Sequence, residues 1–215
     1  MNPAPTLPLL TKLPRPARGT SARVQVGSHE LVLEHVRGGY SLLWSDGREA
    51  RRHAIGLPRD GQLVLQLKLP RLPVCVVTRD VLTITPQGRL RGFVQVPLVP
   101  TLLFREESGS EHTLIELSSR ELAAEWDELS GHLFRVSSPW HVRFPMRSGE
   151  PRIVVPIWLH NCADGVLSPA NLPLQLAVDD LSELRGSVVA RPRRLRWNGE
   201  QWSISVQSTA DAGVR

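Results

Sequence analysis

The chain has 215 residues, a hydrophobic content of 41% and a formal net charge of +5, which together suit a globular protein with a sizeable core. Two cysteines, Cys75 and Cys162, are too few for a secreted disulfide framework, and no apolar run approaches the roughly 18 residues of a membrane span. The basic balance is carried almost entirely by arginine and favours an acidic protein, a nucleic acid or an anionic membrane surface as partner, without choosing among them.

Residues 1–20 are predicted to form a proline-rich flexible arm. Five prolines and three basic side chains fall in this stretch, and proline favours an extended backbone with fewer hydrogen-bond donors. No basic residue precedes the apolar part of residues 1–10, which argues against a signal peptide. We therefore expect a cytoplasmic protein, with a location at the periphery of a membrane complex as the alternative.

Residues 21–110 are predicted to form a first β-rich half, because apolar side chains recur there at every second position. Leu63, Leu65 and Leu67 are an example, typical of a half-buried strand. The apolar runs of the whole chain are separated by Asp-Gly or Asn-Gly pairs, which tolerate the positive φ angles of tight hairpin turns. These pairs are Asp46-Gly47, Asp60-Gly61, Asp164-Gly165 and Asn198-Gly199.

One amphipathic helix is predicted over residues 120–129. Ser118 and Glu121 have the spacing of a capping box, and Leu122, Trp126 and Leu129 recur at helical spacing on one face. The outer face of this helix would be acidic. Its carboxylates are those of Glu121, Glu125, Asp127 and Glu128.

The helix is placed within a second β-rich half, residues 111–207, which is followed by a frayed tail over residues 208–215. The predicted fold is mainly β, with an antiparallel β-sandwich-like architecture of one or two packed sandwiches and one short amphipathic helix. Prolines inside several apolar runs cannot donate to a strand ladder, and they therefore indicate edges and bulges rather than a closed barrel.

No catalytic or nucleotide-binding motif accompanies these strands, so we expect a non-enzymatic protein without a cofactor. His160 and Cys162 share a strand face close to Asp164, the spacing of a partial zinc site. Zinc is held by three or four nitrogen or sulfur ligands, and a strand running into a hairpin explains the same spacing. We therefore predict no metal.

The candidate partner-binding residues belong to two arginine clusters, at residues 48–52 and 191–197, and to the acidic face of the predicted helix. In an extended backbone, Arg194 and Arg196 face one side, while Arg193, Leu195 and Trp197 face the other. Such a strand suits phosphate or carboxylate binding, and a charged edge protected from aggregation is the competing interpretation. The complete candidate set is Arg48, Arg51, Arg52, Glu121, Glu125, Glu128, Arg191, Arg193, Arg194, Arg196 and Trp197.

Three stretches resemble the family catalogued as domain of unknown function 432. They are Pro73-Val-Cys-Val-Val-Thr leading to Gly92-Phe-Val-Gln-Val-Pro-Leu, Leu114-Ile-Glu-Leu-Ser with Trp126, and Val155-Pro-Ile-Trp-Leu-His-Asn161 followed by Leu172-Pro-Leu. The resemblance implies an accessory β domain without established activity. Since some members of that family are encoded beside small mechanosensitive channels, the resemblance also implies a membrane channel as a candidate partner.

The sequence thus predicts a non-enzymatic interaction module or accessory subunit of a larger protein assembly. It would bind an acidic protein partner or its own copies, with the acidic helix of one copy meeting the Arg191–Arg196 strand of its neighbour. The alternative hypothesis is a basic protein that binds nucleic acid or an anionic surface, for which salt-sensitive binding is expected.

Overall fold

The computed structural model describes residues 10–27, 29–45, 49–58, 60–117, 123–127, 131–145, 150–184 and 187–206. The fold is mainly β, as predicted, and consists of several sheets in which antiparallel pairing prevails. The chain forms two compact units that alternate along the sequence. The first contains the described residues up to 68, those of 98–117 and those of 150–151, and the second contains the described residues of 69–97, 119–147 and from 152 onward.

The strands follow one another through both units, interrupted by one short 3-10 turn at Val178–Asp180. They are β1 (Leu10–Leu13), β2 (Ser21–Val26), β3 (His29–Val36), β4 (Gly39–Ser45), β5 (Ala50–Ile55), β6 (Gln62–Lys68), β7 (Val74–Thr78), β8 (Arg89–Pro97), β9 (Val99–Arg105), β10 (Glu111–Glu116), β11 (Ala123–Asp127), β12 (Gly131–Ser138), β13 (Arg152–Asn161), β14 (Asn171–Leu174), β15 (Leu181–Leu184), β16 (Ser187–Ala190), β17 (Arg193–Trp197) and β18 (Trp202–Val206).

The first unit holds two four-stranded sheets, in the orders β2-β3-β4-β5 and β1-β6-β9-β10. The predicted alternation of β6 is present, with Leu63, Leu65 and Leu67 buried. Strand β1 pairs with β6 in register from Leu10↔Gln66 to Leu13↔Leu63. Part of the stretch predicted as a flexible arm is therefore paired, because Leu13 lies in the core and gains from burial.

The second unit holds the sheet that carries the candidate site, with the order β15-β16-β13-β17-β18 and with β8 on the other side of β13. The ten residues of β13 form its centre. Strand β8 runs antiparallel to β13, whereas β16 and β17 both run parallel to it, one after the other along the same edge. A four-stranded sheet of order β11-β12-β7-β14 completes the unit.

The predicted helix over residues 120–129 is wrong where the structure describes the chain. Residues 123–127 form strand β11, which pairs antiparallel with β12 from Ala123↔Arg135 to Asp127↔Gly131. Helical spacing is a weak signal over so short a stretch, because an isolated helix of about ten residues is marginal and a strand partner overrides its propensity. The capping pair Ser118 and Glu121 lies outside the described residues.

Two of the predicted Asp-Gly and Asn-Gly turns show the expected backbone. Gly61 has φ of 109° and Gly199 has φ of 106°. Gly199 lies in the tight turn between β17 and β18, where the side-chain oxygen of Asn198 accepts hydrogen bonds from the amides of Glu200 and Gln201. This turn fixes the register of the last hairpin, and Gly47 lies outside the described residues.

A close approach of Trp140 to Gly92 packs the inner side of β8. A Cβ atom added at Gly92 would lie 2.4 Å from the Trp140 ring, inside van der Waals contact. Only glycine leaves room for the indole at this point of the strand. The contact thus ties β8 to the segment that follows β12.

We expect Gly92→Ala to lower the free energy of unfolding by about 1–3 kcal/mol, because the methyl group forces the Trp140 ring out of place. Urea unfolding followed by tryptophan fluorescence measures this loss. Gly165→Ala is the matched control, since a Cβ atom there meets nothing within 4 Å. Equal effects of both substitutions would contradict the packing role of Gly92.

Candidate anion-binding face

The central strand β13 fixes which side chains face outward. Ile157 and Leu159 are at most 1% exposed, so alternation places Trp158 and His160 on the opposite side of the strand. Both of these residues are half-buried rather than free in solvent. An aromatic ring and an imidazole therefore lie in line along the outward side of the sheet.

The neighbouring strands place four arginines around this pair. Across β8, Arg91 pairs with Trp158 and Arg89 with His160. Across β17, Arg194 pairs with Trp158 and Arg196 with His160. We call the resulting surface the arginine face, defined by Arg89, Arg91, Trp158, His160, Arg194 and Arg196.

The spacing of strands sets the size of the arginine face. Neighbouring strands lie about 4.8 Å apart, so Arg91 and Arg194 are separated by roughly 10 Å across β13. Arg89 and Arg91 are two residues apart on one strand, which corresponds to roughly 7 Å along its direction. The backbone positions of the four arginines thus form the corners of a small rectangle. Its size suits the binding of a few carboxylates or phosphates.

Two of these guanidinium groups stack near the Trp158 ring. The Cζ atom of Arg91 lies 4.4 Å from the ring centroid, and the Cζ atom of Arg194 lies 5.5 Å from it. A cation over an aromatic face is attracted by the ring quadrupole, and the stacked guanidinium keeps its N–H edge available for an acceptor. The tryptophan therefore orients arginines without neutralising them.

No carboxylate within the described part of the chain forms an ion pair with Arg89, Arg91, Arg194 or Arg196. Other arginines of the chain do have such partners, for example Arg105 with Glu111 and Arg23 with Glu30. Among the described residues, the arginine face therefore concentrates positive charge without compensation. It matches a partner that brings the missing carboxylates or phosphates.

The pKa of His160, which lies between Arg89 and Arg196, is affected by its surroundings. Burial lowers the pKa of His160 from its usual value of 6.5, and the positive charges of Arg89, Arg196 and Arg194 lower the pKa further. The ring is therefore neutral at pH 7. Its Nδ1 atom lies 3.4 Å from the Sγ atom of Cys162, and the described residues hold no cluster of three or more metal-ligating side chains.

Asn161 anchors the end of β13 just beyond His160. Its side chain is fully buried, and the amide nitrogen donates hydrogen bonds to the carbonyl oxygens of Ile84, Thr85 and Gly165 at 2.7–3.2 Å. The side-chain oxygen accepts a hydrogen bond from the amide of Ala163. Every polar atom of the side chain is thus used to join the strand end to two loops.

Of the predicted arginine strand, the structure places Arg194 and Arg196 outward and Arg193 inward, as the alternation predicts. Arg193 is 0% exposed and donates to the carbonyl oxygens of Gln175 and Arg191 and to the carboxylate of Asp180. It is therefore part of the core and no longer accessible to a partner. Arg191 is exposed, and its Nη1 atom lies 3.8 Å from Asp180.

The remaining predicted residues lie elsewhere. Trp197 is on the side opposite Arg194 and pairs with Trp202 at 5.3 Å between ring centroids. Arg51 and Arg52 are exposed on β5 in the first unit. Glu125 belongs to strand β11, and Arg48, Glu121 and Glu128 lie outside the described residues.

Sequence reasoning missed Arg89, Arg91 and Trp158. A usable signal was present, because Arg89-Leu-Arg91 and Trp158-Leu-His160 have the same two-residue spacing as Arg194-Leu-Arg196. Each pair alone is unremarkable on an exposed strand. The three pairs become a site only through the register that aligns β8, β13 and β17.

No family model matches this chain, and neither the curated proteins nor the solved structures contain a match. The resemblance to the domain-of-unknown-function 432 family stays a prediction. In the described part of the chain, no helix has the length and apolar character needed to cross a membrane.

We expect Asn161→Asp to lower the free energy of unfolding by roughly 3 kcal/mol or more, because a buried carboxylate would face three carbonyl oxygens that have lost their donor. Thermal or urea unfolding measures the loss. Asn198→Asp is the matched control, since only the side-chain oxygen of Asn198 accepts hydrogen bonds there. Similar losses in the two variants would argue against the anchor.

We expect Arg89→Gln/Arg196→Gln to raise the pKa of His160 part of the way toward 6.5, because burial continues to lower it. NMR titration of the imidazole protons measures the change. Since the folded-state pKa lies below that of the unfolded chain, the contribution of His160 reduces stability as the pH falls below about 6.5. The control Arg18→Gln/Arg37→Gln removes the same charge and is expected to leave the pKa of His160 unchanged. An unchanged pKa in both double variants would contradict the effect of Arg89 and Arg196 on His160.

Proposed function

We propose that this protein is a non-enzymatic interaction module that binds an acidic segment of a protein partner on its arginine face. The observation that carries the proposal is the set of four arginines around Trp158 without carboxylate partners among the described residues. Arg91 and Arg194 are restrained by the Trp158 ring and therefore lose less conformational freedom on binding, and each guanidinium group can donate two hydrogen bonds to a carboxylate.

The state of Trp158 favours a protein partner over single-stranded nucleic acid. Binding of single strands without sequence preference relies on bases that stack on exposed aromatic rings. Guanidinium groups from the strands on either side of β13 already lie over the Trp158 ring. A base would have to displace Arg91 or Arg194, whereas a carboxylate binds to their free edges and leaves the stacking intact.

The role proposed from the sequence is that of an accessory subunit in a larger assembly. A membrane channel is a candidate through the family resemblance, and a second copy of this chain is a candidate through its acidic stretch around Glu125. Light scattering at low salt and at about 0.5 M salt tests self-association, because screening at high salt weakens contacts between exposed charges.

The arginine face is tested with a short oligo-glutamate peptide at low salt, followed by fluorescence anisotropy. We expect Arg91→Gln/Arg194→Gln to weaken binding by at least about tenfold, because two charge-assisted contacts are lost. The matched control is Arg18→Gln/Arg37→Gln, which removes the same charge from exposed positions in the first unit and leaves binding within about twofold.

Two results would contradict the proposal. One is the absence of peptide binding at low salt, and the other is an equal loss in both double variants, which would indicate net charge rather than a site. Oligodeoxythymidylate of the same length is the second probe. Tighter binding of this probe, with loss in Arg91→Gln/Arg194→Gln, would favour the nucleic-acid alternative.

A further inference from the structure

Strand β18 ends the sheet that carries the arginine face, and no described strand pairs with its outer edge. Its sequence, Trp-Ser-Ile-Ser-Val, contains neither a charged residue nor a proline. Exposed edges are usually protected from pairing by charges or prolines. As far as the described residues show, the strand therefore offers an unprotected row of backbone donors and acceptors.

The other terminal strands of the described sheets all carry such protection. Each contains at least one charged residue or a proline, which discourages pairing with a foreign strand. The residues concerned are Lys12, Arg23, Arg51, Arg52, Arg89, Arg91, Pro97, Glu111, Glu116, Glu125, Asp127, Pro173 and Glu183. The open edge of β18 is thus an exception within this fold.

The ladder between β17 and β18 shows which backbone groups of β18 point outward. The amide of Asn198 bonds to the carbonyl of Gln201 beside the turn. Because bonded and non-bonded pairs alternate in an antiparallel ladder, Ser203 and Ser205 bond inward to β17. The amides and carbonyls of Trp202, Ile204 and Val206 therefore point to the outer edge.

The side of β18 that adjoins the arginine face is lined with small residues. Ser205 pairs with Arg194 and Ser203 pairs with Arg196, so the two serines stand between the arginines and the open edge. Short side chains leave space above β18 for acidic side chains of an added strand to extend toward the arginines of β17, while the Arg194 guanidinium stays near the Trp158 ring. A strand added to this edge would lie roughly 10 Å from β17, two strand spacings away.

We infer that the acidic partner segment docks as an extended strand on the edge of β18, with every second side chain a carboxylate directed toward Arg194 and Arg196. This inference rests on the proposed function and adds to it the conformation and place of the bound segment. Backbone hydrogen bonds supply sequence-tolerant affinity, and the alternating carboxylates supply selectivity. The charge complementarity of the arginine face selects an acidic strand over any other.

The test uses a synthetic peptide of alternating Glu and Val residues and the same peptide N-methylated at every backbone amide. Both carry identical charges, but the methylated form cannot complete a strand ladder. We expect the methylated peptide to bind at least about tenfold more weakly, because several backbone hydrogen bonds are lost. Binding of the unmethylated peptide protects the amides of Ile204 and Val206 from hydrogen exchange.

A protein variant gives an independent readout. Val206→Pro removes one outward donor at a residue that is 47% exposed while the inward pairs of Ser203 and Ser205 persist. We expect it to weaken binding of the unmethylated peptide by up to about tenfold and to leave the thermal midpoint nearly unchanged. Val206→Ala is the matched control, because it retains the backbone donor and is expected to preserve binding.

The outcomes separate the two proposals. Equal binding of both peptides, with sensitivity to Arg91→Gln/Arg194→Gln, would overturn the strand docking and leave the arginine face standing. Binding of neither peptide would overturn both. Self-association of the protein alone that is lost in Val206→Pro would show that a second copy occupies the edge, and it too would overturn docking of a separate partner.

Discussion

The arrangement of this protein's candidate site depends on the pairing of β13 along both of its edges. Ile157 and Leu159 are held in the core, and this burial turns Trp158 and His160 outward because successive residues of a strand face opposite sides. A register shift of one residue would reverse every side chain and dissolve the site. The buried Asn161 side chain, bonded to three carbonyl oxygens, secures that register at the end of the strand.

Strand β17 shows how the same residue type serves opposite purposes. Arg193 is buried, and its guanidinium group is satisfied by two carbonyl oxygens and the Asp180 carboxylate, as a buried charge requires. Arg194 and Arg196, one residue and three residues later, face outward without such partners in the described structure. Solvent supports their charge, and the Trp158 ring adds a weak attraction that restricts the motion of Arg194.

Burial is the main cause of the lowered pKa of His160, and the positive charges of Arg89, Arg196 and Arg194, which have no carboxylate partner among the described residues, lower it further. Keeping the imidazole neutral avoids a fifth positive charge in the same small area. An anionic ligand would relieve this repulsion and raise the pKa of His160 again, so ligand binding and protonation of the imidazole are expected to be coupled. The proposed docking of an acidic strand on the outer edge of β18 uses the same electrostatic field at the one described sheet edge that carries no charge or proline.

The sequence by itself determined the β character of the chain, the turn at Asn198-Gly199 and the opposite orientations of Arg193 and Arg194, because alternation and turn preference are local properties of the backbone. Only the tertiary structure decided that Arg89 and Arg91 join Arg194 and Arg196 around Trp158, and that residues 123–127 form a strand instead of a helix. Those outcomes depend on which distant segments pair. Strand pairing is set by the burial of apolar faces and the completion of hydrogen-bond ladders across the whole unit, which no short window of sequence contains.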